Sequence, residues 1–244
     1  MVSWEIISLT REEVGRILAY KKNVVYIIFF IAFETMVPIF ALQQMMQEYI
    51  YPSPTLFQLY TKLFAYAYAL SLGIFIAYGV SMDNFISDKQ RKSIETMLTT
   101  PLSLGKLLLT KTLAIFLLSY FSMIFAFILF LVISNLFLVG YFVYMPELSI
   151  WVALFAVFPL TCFSTIALMG IGLLIARRPT AVNFTAFIIA FLLMVLPSFF
   201  TIDFIMTSAD SLTLTYAEIT VLLAITALIC KKLLLKKEKV TLSI

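Results

Sequence analysis

Residues 113–134 form the run LAIFLLSYFSMIFAFILFLVIS, which contains no charged residue. A helix of roughly 20 such residues crosses the ~30 Å hydrocarbon core of a bilayer, because each residue adds about 1.5 Å. The whole chain of 244 residues is 63% hydrophobic and 12% charged, whereas soluble domains are about 45–50% apolar and about 25% charged. The sequence therefore predicts an all-α integral membrane protein with a single domain, residues 1–244.

Apolar runs on both sides of this one predict six membrane-spanning helices. The last is the weakest, since Glu218 lies inside it, but with six spans every basic residue except Lys62 falls on one side. Basic loops stay in the cytoplasm, so we predict a multi-pass protein of the cell (plasma) membrane with both termini cytoplasmic. The predicted spans are residues 24–45, 63–82, 113–134, 150–176, 184–200 and 212–230, followed by a basic cytoplasmic tail, 231–244.

Residues 1–22 precede the first span and carry a helical pattern, with apolar side chains on one arc and charged ones opposite. So short a segment cannot bury a core of its own. The pattern predicts an amphipathic helix in the headgroup layer, where Arg11, Lys21 and Lys22 reach the lipid phosphates. The apolar arc comprises Trp4, Ile6, Ile7, Val14, Ile17 and Leu18, and the charged arc comprises Glu5, Glu12 and Arg16.

The residue types that the chain lacks exclude several classes of enzyme. There is no histidine and there are only two cysteines, which excludes histidine-based triads, histidine metal sites and four-thiolate clusters. The phosphate loop GxxxxGK[ST] is absent, and the nearest fragment, SLGKLLL at 103–109, lacks its first Gly and the hydroxyl residue after Lys. We therefore expect no enzymatic activity, no metal and no bound cofactor; ATP and Mg²⁺, if used, bind to a separate subunit.

Glu34 is the one acidic residue near the middle of a predicted span. Pro38, four positions later, cannot donate the backbone hydrogen bond that the Glu34 carbonyl expects. No Lys or Arg lies at that depth, so we expect the carboxyl to be protonated or wetted by a cavity. Two interpretations stay open: a substrate-path or ion site, or a carboxyl hydrogen-bonded between packed helices.

The second predicted span has a small residue at every fourth position, namely Ala65, Ala69, Gly73 and Ala77. Such a stripe lets another helix approach closely in lipid, where van der Waals contact drives association. Close helix packing is the favoured interpretation, and a pore lining is the alternative. For residues 198–212, which are too short to cross the membrane, a re-entrant segment and a surface loop both stay open.

Residues 83–106 form a large polar insertion on the predicted cytoplasmic side. Ser93 can cap a short helix there, and Pro101 ends it. A short exposed helix with an apolar stripe and a basic rim fits a groove on another protein. A basic loop resting on anionic lipid is the alternative, and it gives no reason for a helix that proline ends. The stripe consists of Ile94, Met97 and Leu98.

The sequence RKSIETMLTTPLSLGKLLLTK, residues 91–111, resembles the cytoplasmic segment between spans two and three of type-2 ABC transporter permeases. In that family a Thr-Leu-Glu-x-Leu-Leu-like run leads into a Thr-Pro-Leu-Ser turn and a Leu-rich stretch with Gly-Lys. The chain departs from the pattern at Lys92, where many members have Gly, at Met97, and at Thr110, where Gly usually precedes Lys. The matching positions are Ser93, Ile94, Glu95, Met97, Leu98, Thr100, Pro101, Leu102, Ser103 and Lys111.

The resemblance implies a permease half of an ATP-driven ABC exporter that works by alternating access. The half would pair with a second permease copy, as a homodimer or heterodimer, within the lipid bilayer. Two ATPase subunits carrying ATP and Mg²⁺ would grip the insertion as a coupling helix; nucleic acid is not an expected partner. The docking residues would be Ser93, Ile94, Glu95, Met97, Leu98, Thr100, Pro101 and Leu102.

Other functions stay open at the level of sequence. An ATP-independent carrier or channel would use Glu34 for an ion, but it leaves the TTPLSLGK segment unexplained. An intramembrane enzyme lacks the catalytic residue types, and a purely structural anchor would not need an acid at mid-membrane. The sequence does not identify the substrate.

Overall fold

The computed structural model describes residues 2–48, 58, 61–62, 64–81, 84–85, 104–136, 145–175, 188 and 209–234. The elements within those ranges are helical, as the all-α class predicts. They are α1 (Val2–Ala19), α2 (Lys21–Glu48), α3 (π-helical Phe64–Ala69, then Leu70–Ser81), α4 (Leu104–Ser134), α5 (Leu148–Val152, π-helical Ala153–Val157, then Phe158–Ile175) and α6 (Ala209–Leu234).

Five of these helices are long and apolar enough to cross a membrane, so the protein is a multi-pass membrane protein. They correspond to predicted spans one, two, three, four and six. The predicted fifth span, 184–200, lies outside the described residues except for Ile188, as does the tail beyond residue 234. The apolar parts of the helices are Lys21–Phe40, Phe64–Ser81, Gly105–Ser134, Leu148–Leu173 and Thr213–Lys232.

The third predicted span begins earlier than its apolar run. The sequence assigned residues 83–106 to the polar insertion, but α4 already begins at Leu104. The helix can start there because the Leu-rich stretch is a good helix former and Lys106, its one early charge, reaches a carboxylate of α1. The helix that carries the third span therefore begins within the last three residues of the predicted segment 83–106.

The bundle is built around α4, which contacts α1, α2, α3 and α5, while α6 packs on α5. Aromatic side chains fill the spaces between the helices. The ring of Phe64 on α3 stacks on Phe130 of α4 with centroids 4.0 Å apart. Tyr66, Phe158 and Tyr216 join α3, α5 and α6 in a second aromatic cluster. These contacts make α3 the most enclosed of the membrane-spanning helices.

The predicted stripe of small residues lies inside this packing. Ala65, Ala69 and Ala77 have no exposed surface, and a Cβ added at Gly73 would lie 3.1 Å from the Cys162 sulfur of α5. In the described part of the chain these positions are enclosed by neighbouring helices and do not border an open channel. Small side chains there permit close helix contact.

A π-helical segment occupies Ala153–Val157 in α5 and ends two residues before Pro159. Proline has no backbone N–H and its ring crowds the preceding turn. A wider turn relieves that crowding, and π-helical segments often form where a regular α-helix is interrupted. The residue types around Pro159 thus account for the local change in geometry.

The amphipathic helix α1 has two apolar sectors where the sequence indicated one. Trp4, Ile7 and Leu18 are 78%, 57% and 44% exposed, as a helix at the lipid headgroups requires. Ile17, predicted on the same lipid-facing arc, is 1% exposed because it packs into the bundle. The prediction was wrong for Ile17, because periodicity identifies apolar faces but not whether lipid or protein covers each one.

Candidate functional site

The docking residues that the sequence predicts lie outside the described residues, namely Ser93, Ile94, Glu95, Met97, Leu98, Thr100, Pro101 and Leu102. The structure does describe the chain on both sides of that insertion. Asn84 and Phe85 precede it, and α4 follows it. The contacts of these flanking residues show how the insertion is fastened to the bundle.

Four polar side chains join both flanks of the insertion to α1, and we call them the root network: Glu13, Arg16, Asn84 and Lys111. Arg16 Nη2 donates to Glu13 Oε1 at 2.6 Å and to Asn84 Oδ1 at 2.6 Å. Lys111 Nζ donates to the same Glu13 oxygen at 3.1 Å. Glu13 thus holds Lys111 of α4, while Arg16 holds Asn84 just after α3, so two neighbouring side chains of α1 link both flanks of the insertion.

Within the root network, Lys111 and Glu13 are largely shielded from water, whereas the Arg16 side chain is 35% exposed. The side chain of Lys111 is 3% exposed and that of Glu13 is 13% exposed. Taking either ion out of water is costly, and Glu13 offsets that cost for two cations at once. Lys111 also lies over the ring of Phe85, 5.6 Å from its centroid, where the π-face attracts a cation. Lys111 therefore contacts both α1 and the residue that leads into the insertion.

A second ion pair joins α1 to α4 nearer the surface. Lys106 Nζ lies 2.9 Å from Glu5 Oε2, and the two side chains are 34% and 51% exposed. Exposed pairs of this kind contribute about 0–1 kcal/mol, because solvent and salt screen them. Of these two ion pairs, the less exposed one within the root network is therefore the stronger contact between α1 and α4.

A cavity of about 470 Å³ lies between α1 and α4 beside the root network. The charged residues Glu13, Arg16 and Lys111 in its wall already bond to one another as described above. The other acidic residue of the lining, Glu12, is exposed. Within the described ranges, no three His, Cys, Asp or Glu residues come together as a metal site would need. The lining residues are Leu9, Glu12, Glu13, Arg16, Leu107, Thr110 and Lys111.

Glu34 lies apart from the root network, inside the bundle. It is 5% exposed and forms no ion pair with any residue that the structure describes. The neighbouring Thr35 is 2% exposed, and its hydroxyl has no hydrogen-bond partner in the same part of the chain. The phenol of Tyr68 on α3 is near enough to interact with the Glu34 carboxyl electrostatically. This burial fits both interpretations of Glu34.

The sequence reasoning missed an ion pair at the opposite end of the bundle. Lys62 Nζ lies 3.1 Å from Glu147 Oε1, and the Lys62 side chain is 2% exposed. The pair joins the start of α3 to the start of α5. A signal was present, because Lys62 is the lone cation predicted on that side and Glu147 is an acid on the same side. The Glu13–Lys111 pair, by contrast, joins residues 98 positions apart and has no local signal.

Comparison with known proteins assigns no family: no family model matches the chain, and no curated protein matches it. The resemblance to type-2 ABC permeases therefore rests on residues 91–111 and on the predicted arrangement of spans. The function has to be argued from the geometry at the root of the insertion.

Proposed function

We propose that this protein is the membrane-spanning permease subunit of an ATP-driven ABC exporter, and that its polar insertion transmits the motion of a separate ATPase subunit. The observation that carries the proposal is the buried ion pair between Glu13 and Lys111 at the root of the insertion. A segment that receives force from a partner needs a rigid attachment to the helices it moves. A loop that merely rests on lipid does not need buried charges at its base.

The root network indicates how such a force would spread. Asn84 follows α3 and Lys111 belongs to α4, so a push on the insertion moves both helices together. Glu13 holds α1 to the same unit, and α1 then moves along the membrane surface. Tight aromatic packing between α3 and α4 keeps the pair rigid. ATP and Mg²⁺ supply the energy on the partner subunit, and two permease copies open the path by alternating access.

The ends of the helices support the six-span arrangement on which this proposal depends. Ile171 of α5 and Lys231 of α6 line one groove with Gly105 of α4, so these three helix ends lie together. The first turns of α6 lie at the other end, where Thr213 is hydrogen-bonded to Tyr66. The end of α5 and the start of α6 are thus at opposite ends of the bundle, as a further span between them requires.

A triple substitution tests the docking role of the insertion. Replacing Ile94, Met97 and Leu98 by Asp should abolish co-purification of an ATPase subunit with this chain, because an apolar stripe cannot dock when it is charged. The matched control places the same three charges in the tail, at Val240, Leu242 and Ile244, and should retain the ATPase. An intact complex with the first variant contradicts the docking assignment.

The burial of Glu34 favours a second candidate function, an ATP-independent ion-coupled carrier or channel. In that case the purified chain alone, reconstituted in liposomes, conducts protons under a pH gradient, and Glu34→Gln stops the flux. An exporter subunit shows no such flux without its ATPase. A pH-sensitive dye inside the liposomes distinguishes the two functions, since only the second candidate needs no partner.

A further inference from the structure

An apolar groove of about 280 Å³ runs between α4, α5 and α6, and the proposed function does not use it. Leu160 and Leu228 line it and are 58% and 66% exposed, so it opens outward from the described bundle and not into its core. Small side chains create its depth where larger ones would close it. Its walls include Leu108, Phe163, Ala167 and Ala224.

The groove has the length of one membrane leaflet. Its α5 wall runs from Leu160 to Ile171, which is roughly 16 Å of helix at about 1.5 Å per residue. Half of the ~30 Å hydrocarbon core is about 15 Å. The Ile171 end lies beside Gly105 and Lys231, where the apolar parts of α4 and α6 end. The groove therefore leads from headgroup level to about mid-membrane.

An exposed cation marks the headgroup end of the groove. Lys231 lies at its mouth and forms no ion pair with any residue in the described ranges. Thr112 lies deeper in the wall, but it is 1% exposed and its hydroxyl oxygen is closed off from solvent. Lys231, and not Thr112, is therefore the group available to the headgroup of an occupant.

We propose that the groove binds one hydrocarbon chain of an anionic phospholipid, whose phosphate contacts Lys231. From the mouth inward, the groove presents a cation and then an apolar wall, which is the order of phosphate and hydrocarbon in such a lipid. A membrane-spanning helix is a poor fit, because its ~10 Å diameter over ~16 Å needs several times the available volume. The bound lipid has a structural role and is not a transported substrate, so the proposal is independent of the proposed function.

Native mass spectrometry of the full-length protein tests the headgroup contact. The protein is extracted from vesicles of mixed phosphatidylcholine and phosphatidylglycerol into mild detergent. The mass of the lipid that stays bound is then measured. We expect one phosphatidylglycerol per chain. Lys231→Ala should weaken its retention about fivefold, and Lys232→Ala less than about twofold. Lys232 is the matched control because it is the adjacent exposed lysine and is not part of the described groove lining.

A second variant tests the groove itself. Ala224→Phe fills the cavity and should remove the retained lipid, whereas Ala32→Phe, the same change on an exposed position of α2, should not. Equal loss with Lys231→Ala and Lys232→Ala indicates diffuse surface attraction and overturns the proposal. So does retention of the lipid by Ala224→Phe, which indicates that another occupant, such as residues 184–200, fills the groove.

Discussion

Two ion pairs join α1 to α4, and they differ in how far water reaches them. Glu13 shares its carboxylate between Lys111 and Arg16 in a shielded position, while Glu5 meets Lys106 near the surface. We predict that Glu13→Gln lowers the free energy of unfolding by about 3 kcal/mol, because it removes the negative charge that Lys111 and Arg16 share in a poorly hydrated position. Denaturant titration of the purified protein in detergent measures the effect.

The matched control for that variant is Glu5→Gln, which makes the same change on the same helix. Its pair with Lys106 is exposed, so the expected loss is under about 1 kcal/mol. Equal losses for the two variants would mean that burial does not set the strength of these pairs, and the pair in the root network would not be the stronger contact between α1 and α4.

Gly79 permits a close approach between α2 and α3. A Cβ at this position would overlap the ring of Tyr26, whose hydroxyl donates to the Phe75 carbonyl at 3.0 Å. We predict that Gly79→Ala destabilises the protein by about 1–3 kcal/mol through overpacking. Adding Tyr26→Ala should make the Gly79→Ala change cost less, because the obstructing ring is then absent. Gly15→Ala in α1 is the control, since nothing lies within 4 Å of a Cβ there; a similar loss at both glycines argues against overpacking.

At the scale of the element, α1 packs one apolar sector against the bundle and leaves another exposed. Trp4 belongs to the second sector and is 78% exposed. In a Trp151→Phe background Trp4 is the one remaining tryptophan, because the chain has two. We predict that lipids brominated near the headgroup quench its fluorescence more than lipids brominated at the chain end, since interfacial helices lie about 5–10 Å deep.

The quenching experiment also has an outcome that would contradict the prediction. Absence of quenching by either lipid would show that the exposed sector faces water or another protein, and α1 would not be an interfacial helix. Ile7→Trp in a background without Trp4 and Trp151 provides a second reporter on the same sector, since Ile7 is 57% exposed. The two reporters should respond alike.

The bounds of a helix could be predicted from the sequence where the surroundings of the helix are apolar along its whole length. Apolar surroundings, whether lipid or packed helices, give continuous apolar runs, so four spans were placed within a few residues, and the α4 run was extended only at its polar start. Where two apolar media meet, the pattern is ambiguous: Ile17 and Leu18 are both apolar, yet one packs into the bundle and the other is exposed. The Glu13–Lys111 pair joins residues far apart in the sequence, so no local sequence pattern predicts it.

At the scale of the whole molecule, an ion pair holds the chain just before α3, and a hydrogen bond holds it just after. Lys62 and Glu147 join its start to α5, and the root network, through Asn84, holds its end to α1 and α4. The helix between is enclosed by protein along its length. A rod fixed in this way can pass a displacement from one membrane surface to the other, which is what the proposed coupling requires.

The direction in which each helix crosses gives the last prediction. The described helices place the N-terminal helix α1, the start of α4 and the end of α6 at one end of the bundle, and Glu147 at the other. In a background of Cys162→Ser and Cys230→Ser, we expect Ser8→Cys and Lys232→Cys to resist a membrane-impermeant maleimide in intact cells and to react after permeabilisation. Met145→Cys, at a position 72% exposed, should react in intact cells. Labelling of Lys232→Cys from outside would place the chain ends on opposite sides, leave an odd number of spans and refute the permease arrangement, because basic residues would then lie outside the cell.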